Sequence, residues 1–341
     1  MLYPFLFQPI FKERIWGGRS LEKLYGKKLP PGVPIGESWE ISDRPGDESV
    51  ITNGPLAGKN LRWLMENHPR ELLGDATPSP QNRFPLLCKI LDAREKLSLQ
   101  VHPPSKKAAE LKGEPKTEMW YIADAEFSAD LFVGLKYGVT RAQFETKIQS
   151  GTVAQCFHRV PVKAGDTMFL PSGRVHAIGA GLVIFEIQQN SDTTYRVFDW
   201  NRVGLDGKPR ELHVPQSLAS IDFNDFEPGP VVPKITKGPN FTQKDLVKSE
   251  FFTVNWFQTP TVEHIRLGPN PPMTIYAALT KSLTILSGEH TVTIAPGQFC
   301  LVPFSAPKIE LKTEADTSCL WITAGSIRNP QGGMFGPFHR T

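Results

Sequence analysis

Two stretches of the chain share a pattern of glycine, apolar strand and proline. Residues 162–171 read Val-Lys-Ala-Gly-Asp-Thr-Met-Phe-Leu-Pro, and residues 294–303 read Ile-Ala-Pro-Gly-Gln-Phe-Cys-Leu-Val-Pro. In both, a glycine turn precedes an apolar run, and a proline stands six positions after the glycine. Such glycine–strand–proline units are common around the turns of β proteins, but the matched spacing indicates a duplicated element. The repeat therefore predicts a mostly β chain with two similar β-barrels.

Length and composition agree with this architecture. The 341 residues exceed one small core and predict about two domains. The 31 prolines and 28 glycines fit a β chain with frequent reversals. The net charge is only +3, and no long Lys/Arg block is present, which argues against a nucleic-acid partner.

The cysteines and the apolar runs bear on the compartment. The four cysteines lie far apart without a C-x-x-C pair, and most lie in apolar runs, which predicts reduced, buried thiols in a cytoplasmic protein. The N-terminal residues 1–7 are apolar but lack a basic residue before them and contain Pro4, so they make a poor signal peptide. Because no run of about 18 uncharged apolar residues occurs, we expect no membrane-spanning helix and no membrane partner.

Helical patterns and a proline-rich stretch predict the domain organisation. Helices are expected at about 61–73, 103–115, 140–148 and 212–221, with Thr140 as an N-cap. The Pro/Gly-rich residues 227–239 mark the best domain boundary. We therefore expect a first domain at 1–226, with these helices as insertions, and a second domain at 240–341.

The sharpest signal is a histidine that follows a spaced set of glycines and a proline. The pattern is Gly165-x5-Pro171-x-Gly173-x2-His176, and it matches the second cupin motif up to its histidine. The glycines and the proline shape two turns around a strand, which predicts that His176 begins the next strand and faces the barrel interior. A lone histidine is more often a core or surface residue, but this spacing favours a metal ligand.

A polar face alternates with an apolar face in the segment that ends at His102. On a strand, Ser98, Gln100 and His102 would point to one side. A polar face in solvent is the alternative interpretation. Glu118 opens the next apolar run and, taken alone, would be a strand-edge carboxylate. Together with His176, these side chains offer two imidazoles, one carboxylate and one amide oxygen, a set that suits zinc or a neighbouring divalent ion.

Four segments carry a resemblance to a known family: Gln100-Val101-His102-Pro103, Lys116-Thr117-Glu118-Met119, His176-Ala177-Ile178-Gly179 and Tyr195-Arg196-Val197-Phe198-Asp199-Trp200. They resemble those of type I mannose-6-phosphate isomerases, and Trp16-Gly17-Gly18 and residues 36–40 resemble the start of the short bacterial members. The resemblance implies two cupin-like (jelly-roll) β-barrels with helical insertions. It also implies an enzyme that interconverts mannose 6-phosphate and fructose 6-phosphate, a small-molecule partner, through a cis-enediolate.

The same resemblance implies a zinc site and its ligands. In that family the residues matching Gln100, His102, Glu118 and His176 hold one zinc per chain. Glu118 lies farther from His102 than in simple cupins, with residues 103–115 between them, and that insertion is itself like the isomerase family.

Further residues are candidates for the chemistry. Glu186 lies in an apolar strand, where an unpaired carboxylate is costly; a surface strand edge is the alternative, and the resemblance favours a functional role. The resemblance also implies that Asp192 and Arg196 lie at the active site. Lys116 would point to the same side of a strand as Glu118. Arg196 and the metal suit oxyanion stabilisation, whereas Glu186, Asp192, Lys116 and a zinc-bound water stay open as the base.

The phosphate group of the implied substrate needs its own partners. Ser98 faces the same side as the ligands Gln100 and His102. Lys89 lies in an apolar run, where a lysine either reaches the surface or meets an anion. The resemblance implies that both residues bind the phosphate.

The second domain is expected to bind no metal. Its repeat keeps the turn and the strand, but Lys308 stands where the spacing would place a histidine. Two rival functions are a cupin oxygenase that uses a metal such as iron and a non-catalytic sugar-binding cupin. Oxygenase sites usually use three histidines or a close His-x-His pair, whereas Gln100 occupies the first position here. Metal content separates the three: zinc favours the isomerase, iron the oxygenase, and no metal the binding protein.

Overall fold

The computed structural model describes residues 1–268 and 271–325, which are mostly β-strand. The chain divides into two compact units. One consists of Phe11–Ser38 and Lys89–Val231, and we call it the 89–231 unit. The other consists of Met1–Ile10, Trp39–Cys88 and the residues from Val232 onward, and we call it the 232–325 unit.

This division differs from the sequential one expected from the sequence. One boundary, between residues 231 and 232, lies inside the proline-rich stretch 227–239. Residues 1–10 and 39–88, which were expected in the first domain, group instead with the residues from Val232 onward. The other three division points lie within strands, where the sequence gives no turn signal to mark them.

The 89–231 unit is built on two sheets. The larger has six strands in the spatial order Ile10–Gly18, Ile35–Ile41, Leu86–Ala93, Leu182–Gln189, Glu118–Ala125 and Thr167–Leu170. The smaller has five strands in the order Tyr195–Phe198, Leu99–Val101, His176–Ile178, Asp130–Leu135 and Phe157–Pro161.

These two sheets pack through a shared apolar core. Trp120 and Met168 of the larger sheet and Leu131, Val133 and Ile178 of the smaller one belong to a single buried cluster. Burying each large apolar side chain contributes about 1.5–3 kcal/mol, which stabilises the face-to-face arrangement. The inner faces of the two sheets are thereby brought close enough for their polar side chains to meet.

The outer face of the five-stranded sheet is also covered. Leu99 and Val101 are fully buried in a second cluster with Phe144, which belongs to the helix Arg141–Gln149. This packing accounts for the apolar side of the segment that ends at His102, and it turns the polar side inward.

The described residues contain six α-helices: Ser20–Tyr25, Leu61–Asn67, Pro69–Leu73, Ser105–Ala108, Arg141–Gln149 and Val214–Ser220. Short 3-10 turns occupy Pro80–Asn82 and Val153–Cys156. Thr140 caps its helix in a capping box with Gln143. Of the segment 103–115, only Ser105–Ala108 is helical, because prolines flank it on both sides and Gly113 lies near its end.

The 232–325 unit also contains two sheets. Its six-stranded sheet has the order Lys234–Lys237, Thr242–Lys248, Phe252–Thr259, Thr317–Ala324, Thr274–Thr280 and Phe299–Val302. Its four-stranded sheet has the order His264–Arg266, Ile309–Thr313, Leu283–Ser287 and His290–Ile294. A two-stranded ribbon, Asp43–Arg44 with Asp47–Glu48, completes the strands. One apolar cluster joins side chains of both larger sheets.

Across residues 1–268 and 271–325, no helix is long and apolar enough to cross a membrane.

Candidate active site

His176 is placed by the turns that precede it. Gly165 and Gly173 adopt φ values of 92° and 94°, a conformation that favours glycine. The N–H of Gly173 donates to the carbonyl of His102 at 2.9 Å, which ties two of the predicted ligand segments together. Nδ1 of His176 lies 3.0 Å from the carbonyl oxygen of Arg174. Because a carbonyl only accepts, Nδ1 carries the proton and Nε2 presents a lone pair.

Gln100 lies on the second strand of the five-stranded sheet, between the strands of Arg196 and His176. Its backbone is opposite both His176 and Arg196 in the strand register. Its side-chain Nε2 lies 3.2 Å from Nε2 of His176 and donates to that lone pair. If the amide turns by a half rotation, its oxygen faces the same point, as a metal ligand requires.

His102 follows the same strand and is held in the same way as His176. Its Nδ1 lies 2.7 Å from the carbonyl of Thr193, so its Nε2 also presents a lone pair. His102 is buried rather than solvent-facing, and so is Ser98 on the same side of the chain. The polar side of this segment therefore faces the protein interior.

Glu118 approaches both histidines from the larger sheet. Its Oε1 lies 3.3 Å from Nε2 of His176, and its Oε2 lies 3.5 Å from Nε2 of His102. The carboxylate is 0% exposed, and neither Oε1 of Glu118 nor Nε2 of His102 makes a hydrogen bond within the described part of the chain. The three ligand atoms lie within 4.8 Å of one another. Two lone pairs and a carboxylate converge there, an arrangement that a divalent cation satisfies.

The histidines are neutral, as metal ligands must be. Burial lowers the pKa of His176 to about 3. Burial, followed by the charge of Lys116, also lowers the pKa of His102. Burial alone would raise the pKa of Glu118, but Lys116 and the histidines hold that pKa well below its usual range.

Lys116 and Glu186 lie beside this cluster. The Lys116 ammonium lies 2.7 Å from Oε2 of Glu118 and 3.9 Å from Oε1 of Glu186. Burial opposes the charge of Lys116, but the two carboxylates overcome it and raise the lysine pKa. Glu186 accepts a hydrogen bond from Nε1 of Trp120 at 2.8 Å. Burial raises the pKa of Glu186 even though Lys116 and Lys89 oppose the change.

A cavity of about 560 Å³ opens next to these residues. Its wall includes seven of the ten predicted site residues: Lys89, Ser98, Gln100, Lys116, Glu186, Asp192 and Arg196. Gln100 and Lys116 each contact the histidine and glutamate cluster as well. The cluster and the cavity are thus joined through two shared side chains.

Arg196 and Asp192 reach the cavity from the segment around the strand Tyr195–Phe198. Nη1 of Arg196 donates to the carbonyl of Glu211 at 2.8 Å. Burial, followed by the charge of Arg210, lowers the pKa of Arg196. Asp192, in contrast, is exposed.

Lys89 is buried against carboxylates and does not reach the surface, which was the alternative that the sequence left open. Its Nζ lies 3.3 Å from Oε2 of Glu37 and 3.6 Å from Oε1 of Glu186. Glu37 also accepts a hydrogen bond from Nε of Arg14 at 2.7 Å. Sequence reasoning did not select Glu37 or Arg14 as site residues, and the burial of the strand Ile35–Ile41 that holds Glu37 is seen only in the structure.

Two packed sheets that bury a histidine–glutamate–histidine cluster beside a polar cavity define a double-sheet protein with a candidate metal site. The family model of the phosphomannose isomerase type I catalytic domain matches residues 5–126. Mannose-6-phosphate isomerase ManA of Bacillus subtilis is 35% identical over 92% of this chain and 97% of its own length. The mannose-6-phosphate isomerase of Streptococcus mutans is 36% identical over 88% of this chain and 90% of its own length.

The fold comparison agrees with these sequence matches. The crystal structure of the mannose 6-phosphate isomerase from B. subtilis superposes with a TM-score of 0.85 at 31% identity, covering 94% of this chain and 99% of that one. The chain therefore belongs to the type I phosphomannose isomerase family.

Proposed function

We propose that this protein is a zinc-dependent aldose–ketose isomerase that interconverts mannose 6-phosphate and fructose 6-phosphate. One observation carries the proposal. The lone pairs of His102 and His176 and the carboxylate of Glu118 converge at a buried point, beside a cavity lined by lysine, arginine and carboxylate side chains. Family membership supports the choice of substrate, since the relatives are named for this reaction.

The zinc would be held by Gln100, His102, Glu118 and His176. The fit rests on the donor set and on two buried atoms without a hydrogen-bond partner among the described residues, Nε2 of His102 and Oε1 of Glu118. Zinc bound there would supply Lewis-acid polarisation of the sugar oxygens. The carbonyls of Thr193 and Arg174 fix the two imidazole rings, a support that orients ligands in metal sites.

The chemistry needs a base that moves a proton between C1 and C2. In the aldose-to-ketose direction, the proton leaves C2, its electron pair forms the C1–C2 double bond, and the carbonyl electrons go to O1. The resulting cis-enediolate becomes the ketose when O1 takes up a proton, the O2 hydroxyl gives up its proton as O2 becomes the new carbonyl, and the electron pair of the double bond takes the proton from the base at C1. Glu186 is the favoured base, because burial raises its pKa toward the working range. Lys116 keeps its proton between two carboxylates and suits charge stabilisation.

Arg196 and Asp192 complete the proposed set. The guanidinium of Arg196 lies at the cavity wall and is fixed by the Glu211 carbonyl, so it can stabilise the enediolate oxygen without reorganising. Asp192 is exposed at the same wall and would bind a sugar hydroxyl or assist proton transfer.

Ser98 and Lys89 would bind the phosphate. Both line the cavity, and Lys89 already lies among carboxylates, so the phosphate would compete with Glu37 for the ammonium group. A serine hydroxyl and an ammonium group are suitable donors for phosphate oxygens.

Each unit would form a cupin-like jelly roll, with the metal site in the 89–231 unit and a metal-free 232–325 unit. The pair of packed sheets in each unit supports this assignment. A cytoplasmic location is supported by the four free, buried cysteines.

A coupled assay on mannose 6-phosphate tests the function. We expect turnover by the zinc-loaded protein, loss of turnover after chelation, and recovery when zinc is returned. Absence of turnover in the zinc-loaded protein, or turnover that survives complete chelation, would contradict the proposal. Iron as the bound metal in a protein that does not turn over mannose 6-phosphate would favour an oxygenase.

A further inference from the structure

One buried carboxylate near the cavity has no part in the reaction described so far. Asp199 directly follows the strand Tyr195–Phe198 and is 5% exposed. Its Oδ1 accepts from Nε of Arg202 at 3.1 Å and from Nη2 of Arg210 at 2.5 Å, and its Oδ2 accepts from Nε of Arg210 at 2.7 Å. The pair with Arg210 is bidentate, the strongest form of such an interaction.

The two arginines flank a short hairpin. Val203 and Pro209 form the bridge that closes it, one residue after Arg202 and one residue before Arg210. Leu205 at the tip of the hairpin and Arg210 at its end both line the cavity. Asp199 therefore clamps both ends of a segment that forms part of the cavity wall.

The residue that follows this segment contacts the guanidinium of Arg196. The carbonyl of Glu211, the residue after Arg210, accepts from Nη1 of Arg196 at 2.8 Å. The N–H of His213 donates to the carbonyl of Arg196 at 2.8 Å, and Nδ1 of His213 accepts from the N–H of Arg196 at 3.2 Å. A continuous series of contacts thus runs from Asp199 through Arg210 and Glu211 to the guanidinium of Arg196.

We propose that Asp199 is a positioning residue for the isomerisation, acting through Arg210 and the Glu211 carbonyl on the guanidinium of Arg196. This inference rests on the proposed function. Without the carboxylate, the Arg210 fork loses its anchor, and the Glu211 carbonyl loses the fixed position from which it orients Arg196. A displacement of about 1 Å in catalytic geometry can cost about 100-fold in rate.

A double-mutant cycle separates positioning from a purely structural role. We expect Asp199→Asn to lower kcat by about 10- to 100-fold, with unchanged metal content and little change in KM. In the Arg196→Lys background, Asp199→Asn should lower kcat little further, because its effect passes through the guanidinium that is already gone. A merely structural role would lower the melting temperature and leave kcat per folded enzyme unchanged.

Asp130→Asn is the matched control. Asp130 also pairs with an arginine, Arg159, in the same unit, but neither residue lines the cavity. We expect this variant to keep its kcat. If Asp199→Asn does not fold, Arg210→Lys enters the same cycle, since lysine keeps the charge without the bidentate fork.

Wild-type kcat in Asp199→Asn, or a full additional loss in the Arg196→Lys background, would overturn the inference. A zinc-loaded wild-type protein without isomerase activity would overturn the proposed function first, and this inference with it. The two failures are distinguishable because the second is visible before any variant is made.

Discussion

The two units share a strand frame but carry different side chains at matching register positions. In the 89–231 unit, Leu170 lies opposite Glu118. In the 232–325 unit, Val302 lies opposite Thr274. Leu170 and Val302 each stand five residues after the glycine of the repeat, so Thr274 occupies the register position of Glu118.

The match extends to the neighbouring strand. Glu186 lies opposite Trp120 in one unit, and Trp321 lies opposite Tyr276 in the other. Trp120 and Tyr276 each stand two residues beyond Glu118 and Thr274. An apolar tryptophan therefore occupies the register position of the proposed base.

The difference shows which part of the molecule carries the chemistry. Thr274 satisfies its hydroxyl by donating to the carbonyl of Pro272 at 2.8 Å, and Lys308, at the spacing of His176, is exposed. In each unit, apolar packing between its own two sheets stabilises the fold. The charged residues of the 89–231 unit are additions to that frame, and burying them is tolerable because they meet each other and would meet a metal.

The largest expected effect comes from removing a ligand in one unit and its counterpart in the other. His176→Ala should lower kcat by at least about 1,000-fold, the upper range for losing one electrostatic stabiliser. Lys308→Ala should leave kcat unchanged, because Lys308 is exposed and takes no part in the site. Steady-state kinetics on mannose 6-phosphate measures both, and equal losses in the two variants would remove the distinction between the units.

Glu186→Gln should lower kcat by about 100- to 10,000-fold, the range for losing a general base. Glutamine keeps an oxygen that can accept from Trp120, so the fold is expected to survive. Steady-state kinetics on mannose 6-phosphate measures the effect. A kcat close to that of the unmodified enzyme would exclude Glu186 as the base and assign the proton transfer to Asp192, to Lys116 or to a water.

Arg196→Lys should lower kcat by about 100- to 1,000-fold, while the metal content and the melting temperature stay close to those of the unmodified protein. Lysine keeps the positive charge but cannot present the planar fork to an enediolate. Turnover and circular dichroism, measured on the same preparation, check this prediction. Undiminished kcat would exclude Arg196 from the mechanism.

The smallest effect concerns stability in the 232–325 unit. Thr274→Glu would introduce a carboxylate at the register position of Glu118, in a unit where Lys308 stands at the spacing of His176, and we expect a loss of about 3 kcal/mol or more, with no second metal. Thr274→Val, which removes only the hydrogen bond to Pro272, should cost about 1 kcal/mol. Urea unfolding measures both losses. A stable Thr274→Glu variant that binds a metal would show that the frame alone builds the site.

The sequence predicted those features that depend on local spacing. The glycines before His176 and the alternation around Gln100 are short-range patterns, and the structure places Gln100 beside His176 and His176 beside Glu118. The capping box at Thr140 is local in the same sense. Such features follow from a few neighbouring residues, so a single chain reveals them.

Other features depend on strand pairing across long sequence separations and could not be predicted. Glu186 accepts from Trp120, 66 residues away, and Lys89 contacts Glu37 from another strand. The clamp formed by Asp199 was missed because the sequence does not show that Arg210 folds back across a hairpin.

Metal content per chain tests the central claim most directly. Elemental analysis of the purified protein should find one zinc per chain. The His176→Ala variant should contain almost no zinc, while the Lys308→Ala variant should contain the full amount. Two tightly bound metals per chain, or full metal content in His176→Ala, would contradict the assignment of the metal site to His102, Glu118 and His176 in the 89–231 unit.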